Sequence, residues 1–225
     1  MLAWLCSKDY VTCGINYTLR TDENNKSILT QSSEIKAAMP VVIEEAKKLG
    51  YNITEMTISS GSSGGCLAML YAYRDATQSP VPVKLMFEMV GPSSFYAEDW
   101  GIYGLDQDMD DSRRAASGLF SVMGGVELTP DMIKDGSYQE LIKSISAFRF
   151  VNENSCPSLL LYGTHDRVQP WKGVRHLVKA LKDNGVDYKL FEATHSRHGV
   201  QNDNDVMKEY MKTVEEYLDK YMPVK

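Results

Sequence analysis

The chain has 225 residues, 43% of them hydrophobic and 24% charged, which are the fractions of an ordinary globular protein of one domain. Its formal net charge of −6 argues against a nucleic-acid partner, because binding phosphates needs clustered Lys and Arg side chains. No apolar run approaches the roughly 18 residues of a membrane span, and the first residues do not form a secretory signal. We therefore expect a cytoplasmic protein by default, and the sequence does not indicate its oligomeric state.

The hydrophobic pattern predicts strands alternating with helices. Short runs rich in apolar and β-branched residues, bounded by Gly and Pro, predict five strands at residues 10–17, 55–59, 84–90, 158–162 and 188–193. Apolar residues at helical spacing predict helices at residues 33–49, 66–73, 171–184 and 203–221. This alternation predicts an α/β fold with a mostly parallel sheet covered by helices on both faces.

The third and fourth predicted strands are separated by some sixty residues of mixed character. Helical signals occur within this excursion, at residues 113–122 and 130–144. Long connections in compact domains are often functional lids. We therefore expect a small helical cap insertion at about residues 92–156 of a single domain.

A glycine-rich turn joins the second strand to the helix that follows it. Residues 61–65 (GSSGG) fit the pattern G-x-S-x-G with Ser63 at the centre and Gly61 and Gly65 at the flanks. A serine raised on a strained strand-to-helix turn needs small residues on both sides. The pattern therefore predicts Ser63 as a nucleophile, with Ser60 and Ser62 as structural residues. The alternative interpretation is a turn whose serines only cap the helix.

A serine hydroxyl needs a positioned base and a group that orients that base. Asp166 follows the fourth predicted strand and His198 follows the fifth, where catalytic loops of parallel sheets gather. The order Ser, Asp, His is the one expected of an α/β-hydrolase. His195 is the alternative base and His165 a weaker one. We favour His198 because Gly199 follows it.

With these residues the chain resembles the α/β-hydrolase superfamily, and within it the bacterial carboxylesterases related to hormone-sensitive lipase and to feruloyl and acetyl-xylan esterases. Four segments carry the resemblance: GINYTL at residues 14–19, the turn at residues 61–65, YGTHDRVQP at residues 162–170, and His198-Gly199. The resemblance implies a Ser63-His198-Asp166 triad, an oxyanion donor at the Gly64 N–H, and no cofactor or metal.

One departure from this family is marked. The family has an HGG-type loop before the strand that ends in NYRL, and this loop supplies a second oxyanion donor. The chain contains no such loop, whose place in the family fold would be before Met1. We therefore expect an N-terminally truncated hydrolase. Two alternatives are open: residues 10–17 pair directly with the strand leading to Ser63, or a donor is recruited from elsewhere.

The sequence predicts a serine hydrolase that cleaves a small-molecule carboxylic ester through an acyl-enzyme. Two alternatives remain. A peptidase of the prolyl-oligopeptidase type would share the triad and differ in its pocket. A catalytically impaired, hydrolase-like binding module would explain the absent oxyanion loop.

Overall fold

The computed structural model describes residues 1–224 and contains a four-stranded parallel sheet. The strands follow one another in the order β1 (Met56–Gly61), β2 (Val83–Met89), β3 (Ser158–Gly163) and β4 (Tyr188–Ala193). Their register aligns Gly61 with Met89, Met89 with Leu161, and Gly163 with Ala193. The carboxyl ends therefore meet at one edge of the sheet, and the predicted parallel sheet is confirmed.

Helices surround this sheet. They are α1 (Leu2–Cys6), α2 (Ile28–Lys48), α3 (Ser63–Leu70), α4 (Asp110–Gly124), α5 (Pro130–Asp135), α6 (Tyr138–Leu141), α7 (Val174–Asp183) and α8 (Asn204–Tyr221). Helix α2 begins earlier than predicted because Ser27 caps it, with its Oγ accepting from the Thr30 N–H at 3.3 Å. Within residues 1–224, no helix has the length and apolarity needed to cross a bilayer.

The strand predicted at residues 10–17 is wrong. This segment has no strand conformation, and side-chain hydrogen bonds tie it to the rest of the protein. The Tyr10 hydroxyl donates to the Met222 carbonyl at 2.8 Å, and the Tyr17 hydroxyl donates to Ser63 Oγ at 3.2 Å. β-branched and aromatic residues form a strand only beside a partner strand. The segment does not pair with β1 either, and β1 is the edge of the described sheet.

The connection between β2 and β3 packs into the same core as the sheet. Phe95 and Trp100 are buried and stack with their ring centroids 5.6 Å apart, while Phe120 meets Trp100 edge-on. These rings belong to the cluster that includes Leu160 of β3. They therefore fill the core instead of lining an open pocket. The prediction that residues 92–156 cap a site stays a prediction.

Candidate active site

Ser62 occupies a strained turn between β1 and α3. Its backbone has φ 54° and ψ −129°, a conformation that residues other than glycine rarely adopt. Two backbone hydrogen bonds hold it: the Ser62 N–H donates to the Met89 carbonyl at 2.8 Å, and the Ser62 carbonyl accepts from the Cys66 N–H at 3.2 Å. Strain that is over-determined in this way is typical of functional turns.

The turn leaves little space for side chains at positions 64 and 65. A Cβ at Gly64 would lie 2.1 Å from Ser60 Oγ, and a Cβ at Gly65 would lie 2.9 Å from Glu88 Oε2 and 3.1 Å from Gly91 Cα. A Cβ at Gly61 would meet nothing closer than 3.4 Å, an ordinary contact distance. The prediction of Gly61 as a required glycine of the turn is therefore wrong. Gly65 is crowded, but it lies three residues after Ser62 and not two residues after the turn serine, as predicted.

Three side chains from distant parts of the sequence meet at the end of the sheet. His198 Nε2 lies 2.8 Å from Ser62 Oγ, and His198 Nδ1 lies 2.7 Å from Asp166 Oδ2. The Asp166 side chain is fully buried and that of His198 is 25% exposed. The imidazole therefore bridges a hydroxyl and a buried carboxylate, the arrangement that allows a proton to move from the hydroxyl to the ring.

The structure brings Ser62, and not Ser63, to the imidazole, so the prediction that Ser63 meets His198 is corrected. Ser63 is the first residue of α3, exposed, and its Oγ accepts a hydrogen bond from the Tyr17 hydroxyl. The correct small residues around the turn serine are Ser60 and Gly64, which form S-x-S-x-G. The sequence pattern considered only glycines as flanking residues, so it centred the turn on Ser63 instead of Ser62. Serine at position 60 is also small enough for the turn.

The same shift of one residue affects the predicted oxyanion donor. The backbone N–H that directly follows the turn serine belongs to Ser63, and not to Gly64. The first N–H groups of a helix have no carbonyl partner within that helix and attract negative charge. The oxyanion that forms on a substrate carbonyl oxygen when Ser62 Oγ attacks would therefore be stabilised by the first turn of α3.

The acid and base loops are held against each other by backbone contacts. Asp166 Oδ1 accepts from the N–H groups of Val168 and Gln169, at 2.7 and 3.0 Å. The His165 N–H donates to the Ser196 carbonyl at 3.2 Å. A Cβ at Gly163 would lie only 2.3 Å from the Arg197 carbonyl oxygen. Close approach of the loops is thus what positions Asp166 beside His198.

The alternative base, His195, lies in a different hydrogen-bond network. Its Nδ1 is 2.9 Å from Asp203 Oδ1, and its side chain is 78% exposed. Ser196 Oγ donates to Asp203 Oδ2 at 2.5 Å. These hydrogen bonds, that from Ser196 first, lower the pKa of the Asp203 carboxyl. Neither His195 nor His165 forms a hydrogen bond with Ser62 or Ser63 in the described part of the chain, which leaves His198 as the candidate base.

A buried glutamate beneath the turn was not expected from the sequence. Glu88 lies on β2, fully buried, and its Oε2 accepts from the Gly91 N–H at 2.8 Å. Its Oε1 has no hydrogen-bond partner among residues 1–224. Burial raises the pKa of this carboxyl to about 8, so the group is largely neutral at pH 7. Its position in an apolar strand, KLMFEMV, is the one signal in the sequence.

The chain matches one protein family and resembles several solved structures. The model of the family described as BD-FAE matches residues 1–181. An esterase from Thermogutta terrifontis is similar in structure, with 17% identity, a TM-score of 0.65, and coverage of 93% of this chain and 70% of that one. No curated protein sequence matches this chain.

Two further solved structures are similar. One is an acetyl ester-xyloside bifunctional hydrolase from Caldicellulosiruptor lactoaceticus, with 19% identity, a TM-score of 0.61, and coverage of 93% of this chain and 71% of that one. The other is Thermogutta terrifontis esterase 2 phosphorylated by paraoxon, with 16% identity, a TM-score of 0.61, and coverage of 93% and 70%. At this identity the likeness establishes the α/β-hydrolase fold.

Proposed function

Because this chain belongs to the BD-FAE family of esterase-like α/β-hydrolases, we propose that it is a serine hydrolase of carboxylic esters with Ser62 as its nucleophile. The observation that carries the proposal is the 2.8 Å contact between Ser62 Oγ and His198 Nε2, continued to Asp166 at 2.7 Å. This proposal replaces the predicted nucleophile Ser63 by its neighbour and keeps Asp166 and His198.

The proposed reaction is acyl transfer to the Ser62 hydroxyl. His198 Nε2 takes the hydroxyl proton as Ser62 Oγ attacks the ester carbonyl carbon, and Asp166 accepts a hydrogen bond from His198 Nδ1–H. The Ser63 N–H stabilises the oxyanion. The imidazolium then protonates the leaving alcohol, and water attacks the acyl-enzyme with His198 again as base, which releases the acid and restores Ser62.

Labelling by a fluorophosphonate probe tests this assignment, because the probe forms a covalent bond only with an activated serine. We expect stoichiometric labelling of the wild-type protein, with the modification mapped to Ser62 by peptide mass spectrometry. Ser63→Ala is the matched control, since it removes the adjacent hydroxyl of the same turn and should still be labelled. Ser62→Ala and His198→Ala should not be.

Hydrolysis of 4-nitrophenyl acetate supplies the second measurement. Removal of the nucleophile should reduce kcat by at least about 10,000-fold, because the hydroxyl and its base act as one unit. Labelling at Ser63, or no labelling of a folded sample, would contradict the assignment. The absence of labelling would favour the non-catalytic binding module. A matched panel of peptide amides distinguishes an esterase from a peptidase.

A further inference from the structure

A cavity of about 640 Å³ opens between the loop that follows β3 and the loop that follows β4. One of its lining residues is Asp166, which holds His198. The cavity therefore lies beside the loop that carries Asp166, while Ser62 and His198 are not among its lining residues. Its other lining residues are Ile102, Thr164, His165, Arg167, His195, Arg197, Gln201 and Asn202.

Four of the nine lining residues are arginine or histidine. Arg167, Arg197, His165 and His195 are all exposed. The one carboxylate in the lining is Asp166, and its two oxygens are already bound by two backbone N–H groups and by His198. The lining therefore contains two permanently charged guanidinium groups and no carboxylate oxygen that is left without a hydrogen bond.

The two arginines differ from most others because they have no acidic partner among residues 1–224. Within residues 1–224, neither the Arg167 nor the Arg197 guanidinium forms an ion pair or a side-chain hydrogen bond. Five of the other arginines do pair with carboxylates: Arg74, Arg113, Arg114, Arg149 and Arg175. Two uncommitted guanidinium groups in one cleft focus a positive potential there, although the protein carries a net charge of −6.

We propose that this cavity is a subsite that binds an anionic group, such as a carboxylate, carried by the ester substrate. The inference rests on the proposed esterase function and specifies its substrate class: esters whose acid or alcohol part bears a negative charge. Guanidinium groups bind carboxylate and phosphate oxygens through paired N–H donors, which is why Arg167 and Arg197 fit this ligand.

Pairs of acetyl esters that differ only in charge test the proposal. We would compare 4-acetoxybenzoate with the neutral 4-acetoxybenzamide. We would also compare 4-acetoxyphenylacetate and 3-(4-acetoxyphenyl)propionate with their amides, because these homologues place the carboxylate at greater distances from the ester. The wild-type protein should give a higher kcat/KM for at least one anion than for its amide. Arg167→Gln and Arg197→Gln should each lower that ratio about tenfold, because a charge-assisted hydrogen bond is lost.

Lys47→Gln is the control variant. It removes one positive charge from the exposed last turn of α2, remote in sequence from the cavity loops, and should leave the ratio unchanged. Hydrolysis of the acetyl ester in the neutral benzamide and its homologues should be the same in the wild-type protein and in Lys47→Gln. Equal ratios in the wild-type protein and in both arginine variants would overturn the proposal.

Binding of benzoate separates this inference from the esterase proposal, because it requires no turnover. Saturable shifts of the His165 and His195 ring signals in NMR spectra, absent in Arg167→Gln and Arg197→Gln, would support the anion site even if no ester were hydrolysed. Absent shifts, or shifts unchanged by the substitutions, would overturn it. Arginine-dependent benzoate binding without a preference for charged esters would overturn the role in substrate selection.

Discussion

Ser62 Oγ lies 2.8 Å from His198 Nε2, although the two residues are 136 positions apart in the sequence. The next residue, Ser63, has its hydroxyl bound to Tyr17 instead. Two adjacent serines in one turn are thus distinguished by backbone direction alone. The strained φ of 54° at Ser62 is what turns its side chain, and not that of its neighbour, toward the imidazole.

The role proposed for Asp166 leads to a first prediction. Asp166→Asn should lower kcat by about 10,000-fold with little change in KM, because an amide no longer holds the imidazole in the required tautomer. Steady-state hydrolysis of 4-nitrophenyl acetate measures both constants.

Asp203→Asn is the matched control for this prediction. Asp203 also contacts a histidine, His195, but that imidazole forms no hydrogen bond with Ser62 in the described residues. The kcat of a folded Asp203→Asn protein should therefore stay within a few-fold of the wild-type value. If both variants lost activity equally, or if Asp166→Asn kept most of it, the assigned role would be wrong.

Most of the sheet was predictable from the sequence. Strands β2 to β4 contain apolar runs bounded by Gly, Pro or polar residues, and β1 is richer in Ser and Thr. Each of the four lies within two residues of its predicted bounds. Because parallel strands bring their carboxyl ends together, the residues after β3 and β4 were expected to meet. Asp166 and His198 do so. The proximity of Asp166 and His198 could thus be predicted from the strand positions alone.

Other features depend on contacts that a pattern does not contain. Residues 10–17 have the composition of a strand, but a strand also needs a neighbour to pair with. The choice between Ser62 and Ser63 depends on backbone direction within a run of small residues. The hydrogen bond from the Tyr17 hydroxyl to Ser63 Oγ depends on where residues 10–17 lie relative to the start of α3. Each of these is a tertiary relationship.

A second prediction concerns the contact between the acid and base loops. Gly163→Ala should destabilise the protein by about 2–3 kcal/mol, because the new Cβ would lie 2.3 Å from the Arg197 carbonyl oxygen, which is backbone and must move. Activity should fall as well, since the loops carry Asp166 and His198. Urea unfolding and 4-nitrophenyl acetate turnover measure the two effects.

Gly118→Ala is the control for this substitution. Gly118 lies in α4, and a Cβ there would meet nothing within 4 Å. It should stabilise the protein by about 0.5–1 kcal/mol, because alanine loses less conformational freedom in a helix. A Gly163→Ala protein as stable as the wild type would show that the loops do not approach as described.

A third prediction concerns the hydrogen bond between Tyr17 and Ser63. Tyr17→Phe and Ser63→Ala should each lower kcat by about 2- to 10-fold, because one hydrogen bond that orients the residue after Ser62 is lost. The double variant should be no slower than the slower single variant, since all three remove the same contact. Additive losses in this cycle would show that the two side chains act independently.

The buried Glu88 carboxyl leads to a prediction about pH. Its pKa rises from 4.5 to about 8 on folding, so the folded protein binds more protons than the unfolded chain between these values. Its contribution to stability is therefore complete below about pH 4.5 and is lost as the pH rises toward 8. The free energy of unfolding should fall by roughly 1 kcal/mol per pH unit in this range because of this one group.

Glu88→Gln should remove this slope, because the amide stays neutral at every pH while keeping the shape of the protonated carboxyl. Urea unfolding at pH 5, 6, 7 and 8 would then show the variant and the wild-type protein nearly equal at pH 5, with the variant increasingly more stable toward pH 8. Glu192→Gln, which alters an exposed glutamate on β4, should run parallel to the wild type. A Glu88→Gln curve that also ran parallel would mean that Glu88 is already ionised in the folded protein, and its unpartnered Oε1 would then need a cation or solvent to compensate the buried charge.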